Sequence, residues 1–433
     1  MSQKKIDSKE VVSRIFGDAP LAKKKRPGEE TISSLLAYRG KKQSASKREL
    51  TPRRFLWSGW QNEFGGLDIG NDSIKFVLLI QERRKLRLKD VQVEKLIHMD
   101  SAAKPEERER EVLDAMIKIA SRLKPRTKLG ISLNDPSLFI DSLTVPRGSN
   151  QEVQEVIRRE LSEKHLIDPT ASFFDHTTLN GSDALSTTQN LLVVAAPREL
   201  VYRQFERVQA AGFKVLSVET NALASLQALR RVKRWEAKDR VLILDIGAKF
   251  SNVTVVIGDR MTLNRIIPIA GERLTKAVQE TMGCDFEKAE QLKIRYGLNQ
   301  LTHSTQHSTP SGTISEGEKV SQILMAETEK LLDEVERSFQ FAFAKETSEE
   351  GIRLSQVYLM GGGTRLLALK EYTEKRWGAP VHDFDLWEGL SFDEQSIDHN
   401  FLNETRDVIS VSLGIALRVT EWKVLPFGLG MPG

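Results

Sequence analysis

A single cysteine, Cys284, stands among 433 residues, so no disulfide can close within the chain and no cysteine-built zinc cluster is available. A reducing compartment fits. Long apolar runs are missing too. The best candidates, residues 191–197 and 76–80, are strand-sized, far short of the roughly 20 residues that span a bilayer. The first ten residues are charged with no apolar stretch behind them, so a secretory leader is not expected. No Gly-x-x-x-x-Gly-Lys occurs, and no Gly-x-Gly-x-x-Gly follows the first strand. That argues against a P-loop nucleotidase and a Rossmann dinucleotide site. Gly-x-Ser-x-Gly and His-Glu-x-x-His are absent as well, which removes the hydrolase elbow and the zincin helix.

Hydrophobic residues make up 39% and charged residues 29% of the chain, enough for a sizeable core and too apolar for full-length disorder. The net charge of +4 hides an asymmetry. Residues 1–60 hold 15 Lys/Arg against 6 Asp/Glu, and the remainder holds 49 against 54. The basic character belongs to the N-terminal extension, and the acidic body is a poor match for nucleic acid. Within 1–62, the run 23–26 is basic and Pro27-Gly28 breaks structure. Ile6, Val11, Val12, Ile15 and Phe16 share a helical spacing, and Phe55, Trp57 and Trp60 cluster before the first strand. The extension reads as a solvated tail or as a docking peptide for a partner or acidic lipid headgroups.

From residue 65 the pattern becomes that of an α/β protein. Strands are predicted at 67–70, 74–80, 86–95, 128–133, 138–145, 190–196, 214–218, 241–247, 252–257, 261–267 and 356–360. Helices are predicted at 106–123, 151–165, 198–211, 271–281, 287–296, 316–345, 366–377 and 410–419. Residues 301–315 read as a surface loop. His303 and His307 are four apart there with no nearby carboxylate, a poor metal site. Cys284 reads as a packing or capping residue.

Two segments repeat one motif. Leu67-Asp68-Ile69-Gly70-Asn71-Asp72-Ser73-Ile74-Lys75 and Leu244-Asp245-Ile246-Gly247-Ala248-Lys249-Phe250-Ser251-Asn252 are each strand, Asp-Ile-Gly, short turn, strand. A glycine after a strand lets the backbone approach a polyphosphate. Successive turn N–H groups form an anion nest. An aspartate at the strand end can hold magnesium, usually through waters. Two such hairpins facing one another would grip a nucleotide from both sides. The strand 357–360 then runs into Gly361, Gly362 and Gly363, which reads as close backbone approach to a base or ribose, or as a tight strand–helix turn.

The paired motifs, the segment Val218-Glu219-Thr220-Asn221-Ala222-Leu223-Ala224 and the glycine triplet resemble the actin/Hsp70/FtsA-like nucleotide-binding fold. Pro268-Ile269-Ala270-Gly271 with Leu274-Thr275, and the Glu-x-Ala-Glu-x-Leu-Lys run at 287–293, are similar to the PilM family of type IV pilus assembly proteins. The resemblance implies ATP and Mg2+ as cofactors. It assigns Asp68, Gly70, Asn71 and Ser73 to a first phosphate loop, with Lys75 a ligand of the terminal phosphate or an exposed strand lysine. Asp245, Gly247 and Ala248 form the second loop, with Ser251 or Asn252 as side-chain donors. Asp68 and Asp245 lie near the metal. Glu219 orients metal-bound water or is an interdomain carboxylate. Glu272 and Lys276 border the adenosine or form a surface pair, and Gly361, Gly362 and Gly363 flank the adenosine. Lys249 and Phe250 depart from the small hydroxyl residues usual in the second loop, which weakens the expectation of efficient hydrolysis.

The implied architecture is a two-lobed actin-like ATPase fold with an FtsA/PilM-type inserted subdomain and a second, helical insertion. The expected divisions are a flexible extension 1–62, a first lobe at 63–124 and 201–236, and an inserted peptide-binding subdomain at 125–200. The second lobe would take 237–272 and 351–408, with a helical insertion at 273–350 and a C-terminal helix and tail at 409–433. The resemblance implies a cytoplasmic ATP-binding scaffold of pilus assembly, peripheral at the inner membrane. It would dock the cytoplasmic N-terminal peptide of an inner-membrane PilN-like protein and meet other pilus assembly proteins, without nucleic acid or a transmembrane segment of its own. A small-molecule kinase of the same fold and an FtsA-like division scaffold are the alternatives. The C-terminal Pro-Phe-Gly-Leu-Gly-Met-Pro-Gly is unsuited to the amphipathic anchor of the latter.

Overall fold

The structure is a computed structural model that describes residues 62–82, 85–97, 104–124, 127–165, 167–179, 186–258, 260–299, 314–346, 353–395 and 397–421. The basic extension with Phe55, Trp57 and Trp60, the His303/His307 loop and the last twelve residues lie outside the described residues.

The first sheet contains β1 (Asn62–Ile69), β2 (Ser73–Glu82), β3 (Lys85–Lys95), β4 (Lys128–Leu133) and β8 (Val215–Thr220), in the order β3-β2-β1-β4-β8. The second contains β9 (Arg240–Ile246), β10 (Ser251–Ile257), β11 (Arg260–Ile267), β12 (Gln356–Met360), β5 (Phe139–Pro146), β6 (Ser172–Thr178) and β7 (Thr188–Pro197), in the order β12-β9-β10-β11-β5-β7-β6. Each lobe opens with the same device. An antiparallel hairpin, β1–β2 or β9–β10, has its first strand paired in parallel with a later strand, β4 or β12.

The strand at 128–133, expected inside the inserted subdomain, belongs to the first sheet, parallel to β1 and β8. Leu129 through Leu133 are buried without alternation, the pattern of a central strand covered on both faces. The insert proper is β5, β6 and β7 with α2 (Asn150–His165), around a core of Val145, Ile157, Leu161, Phe174 and Val193. It joins the second sheet where Asp141 pairs with Leu263. A smaller core of Leu133, Phe173, Ala196 and Val201 ties it to β4 and α3 (Arg198–Ala210).

Helices α5 (Gly271–Met282), α6 (Phe286–Tyr296), α7 (Glu316–Glu346) and α8 (Leu369–Trp377) share one core with β9–β12 through residues such as Leu244, Val278, Leu292, Leu324 and Val357. Helix starts are chemically marked. Ser315 and Glu318 exchange bonds at the head of α7 (2.9 and 3.2 Å), and Asp285 Oδ1 accepts from the Lys288 amide (2.7 Å) at the head of α6; such caps satisfy amides that the helix itself leaves unpaired.

On the first sheet, α1 (Pro105–Ala120) covers one face with Leu113, Met116 and Ile119. The C-terminal helix α10 (Ser410–Glu421) lies directly on the other face, against α4 (Asn221–Val232). Glycine makes that approach possible. A β-carbon on Gly66 would overlap the Ser412 carbonyl oxygen, and one on Gly414 would overlap the Ala224 carbonyl oxygen. Three elements lay outside the sequence expectations: β6, α4 and α9 (His399–Thr405). Strand β6 puts Phe173 and Phe174 side by side and then turns polar, so it lacks the alternation of a half-buried strand.

Candidate functional site at the paired turns

The two Asp-Ile-Gly segments fold into matching turns. The Gly70 amide donates to the Ser73 carbonyl (3.1 Å) and the Gly247 amide to the Phe250 carbonyl (3.0 Å). Across the hairpins Asp68 pairs with Lys75 and Asp245 with Asn252. The two aspartates therefore occupy corresponding positions at the ends of β1 and β9.

They also meet. Asp68 is buried; its Oδ2 lies 3.3 Å from Lys75 Nζ and its Oδ1 accepts from Ser132 Oγ (3.1 Å). Asp245 is pushed up to about 6 by its removal from water, with the Asp68 charge adding to the rise and Lys75 opposing it. Two carboxylates thus share one lysine, an arrangement that welcomes further positive charge. Among the described residues no group of three or more His, Cys, Asp or Glu side chains is placed to hold a metal. A two-carboxylate set fits magnesium, which keeps waters and is commonly held by one or two carboxylates plus substrate phosphates.

The glycine triplet packs onto the second turn. Gly361 has φ 84° and a β-carbon there would overlap Asp245 Oδ1; one on Gly363 would overlap Ile246 Cγ2. Gly362 has only Val408 Cγ1 at 3.8 Å. Two of the three glycines are therefore required by contact with β9. The turn continues into a 3-10 segment, Gly362–Arg365, and α8 begins only at Leu369, because Ala368 at φ 64° interrupts the predicted 366–377 helix.

The head of α5 sits on the second turn: the Gly271 amide donates to Gly247 O (3.1 Å) and the Glu272 amide to Ala248 O (2.7 Å). Glu272 and Lys276 form an ion pair at 2.7 Å one turn apart. Ser251 is fully buried and donates to Ile269 O (2.6 Å), so its hydrogen is committed inside the fold and does not serve as the expected donor. Asn252 is buried as well, while Lys249 is exposed with its Nζ 5.6 Å above the Phe250 ring.

Glu219 lies in the same cross-strand row, opposite Ser132 of β4, but its charge is balanced elsewhere. Burial raises its pKa, and Arg418 of α10, 3.6 Å away, opposes the rise. Both line a cavity of ≈ 200 Å³ between Thr177, Thr178, Leu179 and Leu192 of the insert and Leu223, Leu226 and Gln227 of α4. The sequence missed two cations at the turns. Arg108 Nη2 donates to Asn71 O (2.9 Å) and Oδ1 (3.2 Å). Lys293 Nζ reaches Thr275 Oγ1 (2.9 Å), Gly271 O (3.3 Å) and Glu290 (2.6 Å). Lys293 stands in the Glu-x-Ala-Glu-x-Leu-Lys pattern, yet nothing in that pattern says which element it reaches.

Two lobes that each bring a strand–Asp-Ile-Gly–strand hairpin to one meeting place define an actin-like ATPase fold. A solved PilM–PilN type IV pilus biogenesis complex shares this fold with a TM-score of 0.66, at 22% identity, over 82% of this chain and 98% of that one. The family model described as type IV pilus assembly protein PilM matches residues 66–420, and the chain belongs to the PilM family. Cell division protein FtsA of Helicobacter pylori is 22% identical over 192 residues, 41% of this chain and 38% of FtsA. The match thus spans less than half the length of that curated relative. Among the described residues no helix is long and apolar enough to cross a membrane.

Proposed function

We propose that this protein is an actin-like, ATP-binding scaffold of type IV pilus assembly that docks the N-terminal peptide of a PilN-like inner-membrane protein. Family membership over residues 66–420 supports the pilus role. The observation that carries nucleotide binding is the convergence of Asp68, Asp245 and Lys75 at two turns of like geometry. The N–H groups following Gly70 and Gly247 would hold the phosphates of ATP. Asp68 and Asp245 would hold Mg2+, which would neutralise phosphate charge. Lys75 balances Asp68, and Lys293 steadies the head of α5 on the adenosine side with Glu272 and Lys276. Glu219 acts as an interdomain carboxylate.

Peptide docking is supported by the cavity between the insert and α4, which offers Leu179, Leu192, Leu223 and Leu226 beside Arg418. A small peptide with apolar anchors suits such a cleft. Capture of a membrane protein by its cytoplasmic peptide would bring the chain to the inner membrane.

Calorimetry tests the nucleotide reading: folded protein should bind MgATP and MgADP, and absence of both overturns it. For the partner, a pull-down of membrane proteins should recover a single-span protein through its cytoplasmic N-terminus, and Leu179→Asp, at a partly buried position of the cavity wall, should abolish that recovery without changing nucleotide binding. Phosphorylation of a small metabolite with no protein captured would favour a kinase instead.

A further inference from the structure

The two turns are held at the same place by different means. In the second turn the carbonyl of the residue after the glycine, Ala248, accepts from the main-chain amide of Glu272 (2.7 Å). In the first, the corresponding carbonyl, Asn71 O, accepts from the guanidinium of Arg108 (2.9 Å). Two further carbonyls of the first turn are engaged too. Asp72 O accepts from the Leu96 amide (2.8 Å), and Ser73 O from the Gly70 amide (3.1 Å) and Lys75 Nζ (3.3 Å). A trans peptide points its C=O and the next N–H in opposite directions. Fixing Asn71 O therefore fixes the Asp72 N–H on the far side, and with the Asn71, Asp72 and Ser73 carbonyls occupied the turn is set to present N–H groups, the polarity of an anion nest.

We propose that Arg108 is the positioning residue of the first phosphate turn, holding the Asn71–Asp72 peptide so that the Asp72 N–H faces the phosphate chain of a bound nucleotide. The inference rests on the nucleotide reading above and adds a residue to that site. Arg108 also grips the Asn71 side chain (Oδ1, 3.2 Å) through the same nitrogen, so one cationic donor sets both the peptide and the residue that carries it. The second turn is locked by the main chain of α5 and needs no such side chain. The asymmetry makes the first turn the one whose geometry a single substitution can release: without Arg108 the peptide is free to flip, and a flipped peptide turns a carbonyl toward phosphate.

The test uses the full-length protein and its Arg108→Met and Arg108→Lys variants. Calorimetry with MgADP and MgATP should show Arg108→Met weaker by at least about tenfold, the scale of one charge-assisted hydrogen bond. Arg108→Lys should recover most of that loss, because both bonds come from one nitrogen that an ammonium can replace. Hydrogen exchange without nucleotide should accelerate in Arg108→Met at the amides bonded across the first turn, Gly70 and Leu96, while the Gly247 amide of the second turn stays at the wild-type rate. A merely structural role would move neither the Lys rescue nor a difference confined to one turn. If Arg108→Met misfolds, Asn71→Ala, which removes the Oδ1 acceptor alone, should weaken MgADP by a smaller factor with the same local exchange signature. Wild-type MgADP affinity in a folded Arg108→Met, or unchanged exchange at the first turn, overturns the inference. Failure of the wild type to bind any nucleotide overturns the nucleotide reading and the phosphate half of this inference, and the exchange arm still decides whether Arg108 fixes the turn.

Discussion

Asp245 and Asp68 end corresponding strands of the two sheets, and each stands in the other's electrostatic field. Lys75, 3.3 Å from Asp68, is the cation that offsets both. A proton or a metal cation would relieve the repulsion that remains between the two carboxylates.

The Asp245 carboxyl has a pH signature. The folded pKa of Asp245 is raised to about 6 from 3.8, so across that interval the folded state keeps a proton that the unfolded chain has released. Stability falls as pH rises from about 4 to 6, and the full cost is present at pH 7. Asp245→Asn should therefore stabilise the nucleotide-free protein at pH 7 by on the order of 1–3 kcal/mol and flatten the slope between pH 4 and 6. Urea unfolding at several pH values in magnesium-free buffer measures this; an unchanged slope refutes it.

Arg418 is the counter-charge of the buried Glu219. Arg418→Met should cost on the order of 2–4 kcal/mol, because it strands a buried carboxylate. The double variant Arg418→Met/Glu219→Met should regain much of that loss. Thermal or urea unfolding of all three proteins completes the cycle, and additive effects would show that the pair is not coupled.

The glycine triplet is not uniform. Gly361→Ala should destabilise by about 1–3 kcal/mol, since φ 84° and the Asp245 carboxylate both reject a side chain. Gly362→Ala meets only Val408 at 3.8 Å and should stay within about 0.5 kcal/mol of wild type. Equal losses in the two variants would contradict the packing described for the second turn.

Gly414 lies inside α10, where alanine would ordinarily favour the helix. Here Gly414→Ala should instead lose at least about 1–3 kcal/mol, because the new methyl meets the Ala224 carbonyl of a neighbouring helix and one backbone must move. A more stable Gly414→Ala protein in urea would mean that α4 and α10 are not in such close contact.

Much of this protein was legible in its sequence for local reasons. Strand, Asp-Ile-Gly, turn and strand form one contiguous unit, so the β1–β2 and β9–β10 hairpins and their repetition are visible without any long-range information. Helices α5, α6 and α7 likewise lie close to the ranges read from the sequence, 271–281, 287–296 and 316–345. Non-local placement was decided by tertiary structure alone. Whether residues 128–133 pair within the insert or between β1 and β8 depends on which sheet buries both faces of that strand, and its alternating Leu129, Ile131 and Leu133 suit either. The donor expected at Ser251 is spent on Ile269, a partner 18 positions away. Glu219 has its counter-charge in Arg418, near the far end of the chain. Arg108 reaches Asn71 from a helix 37 positions on; an arginine in an exposed-looking charged run carries no sign of its target. Hydrogen-bond and charge partners are set by where folded elements cross, and the order of residues along the chain does not encode that crossing locally.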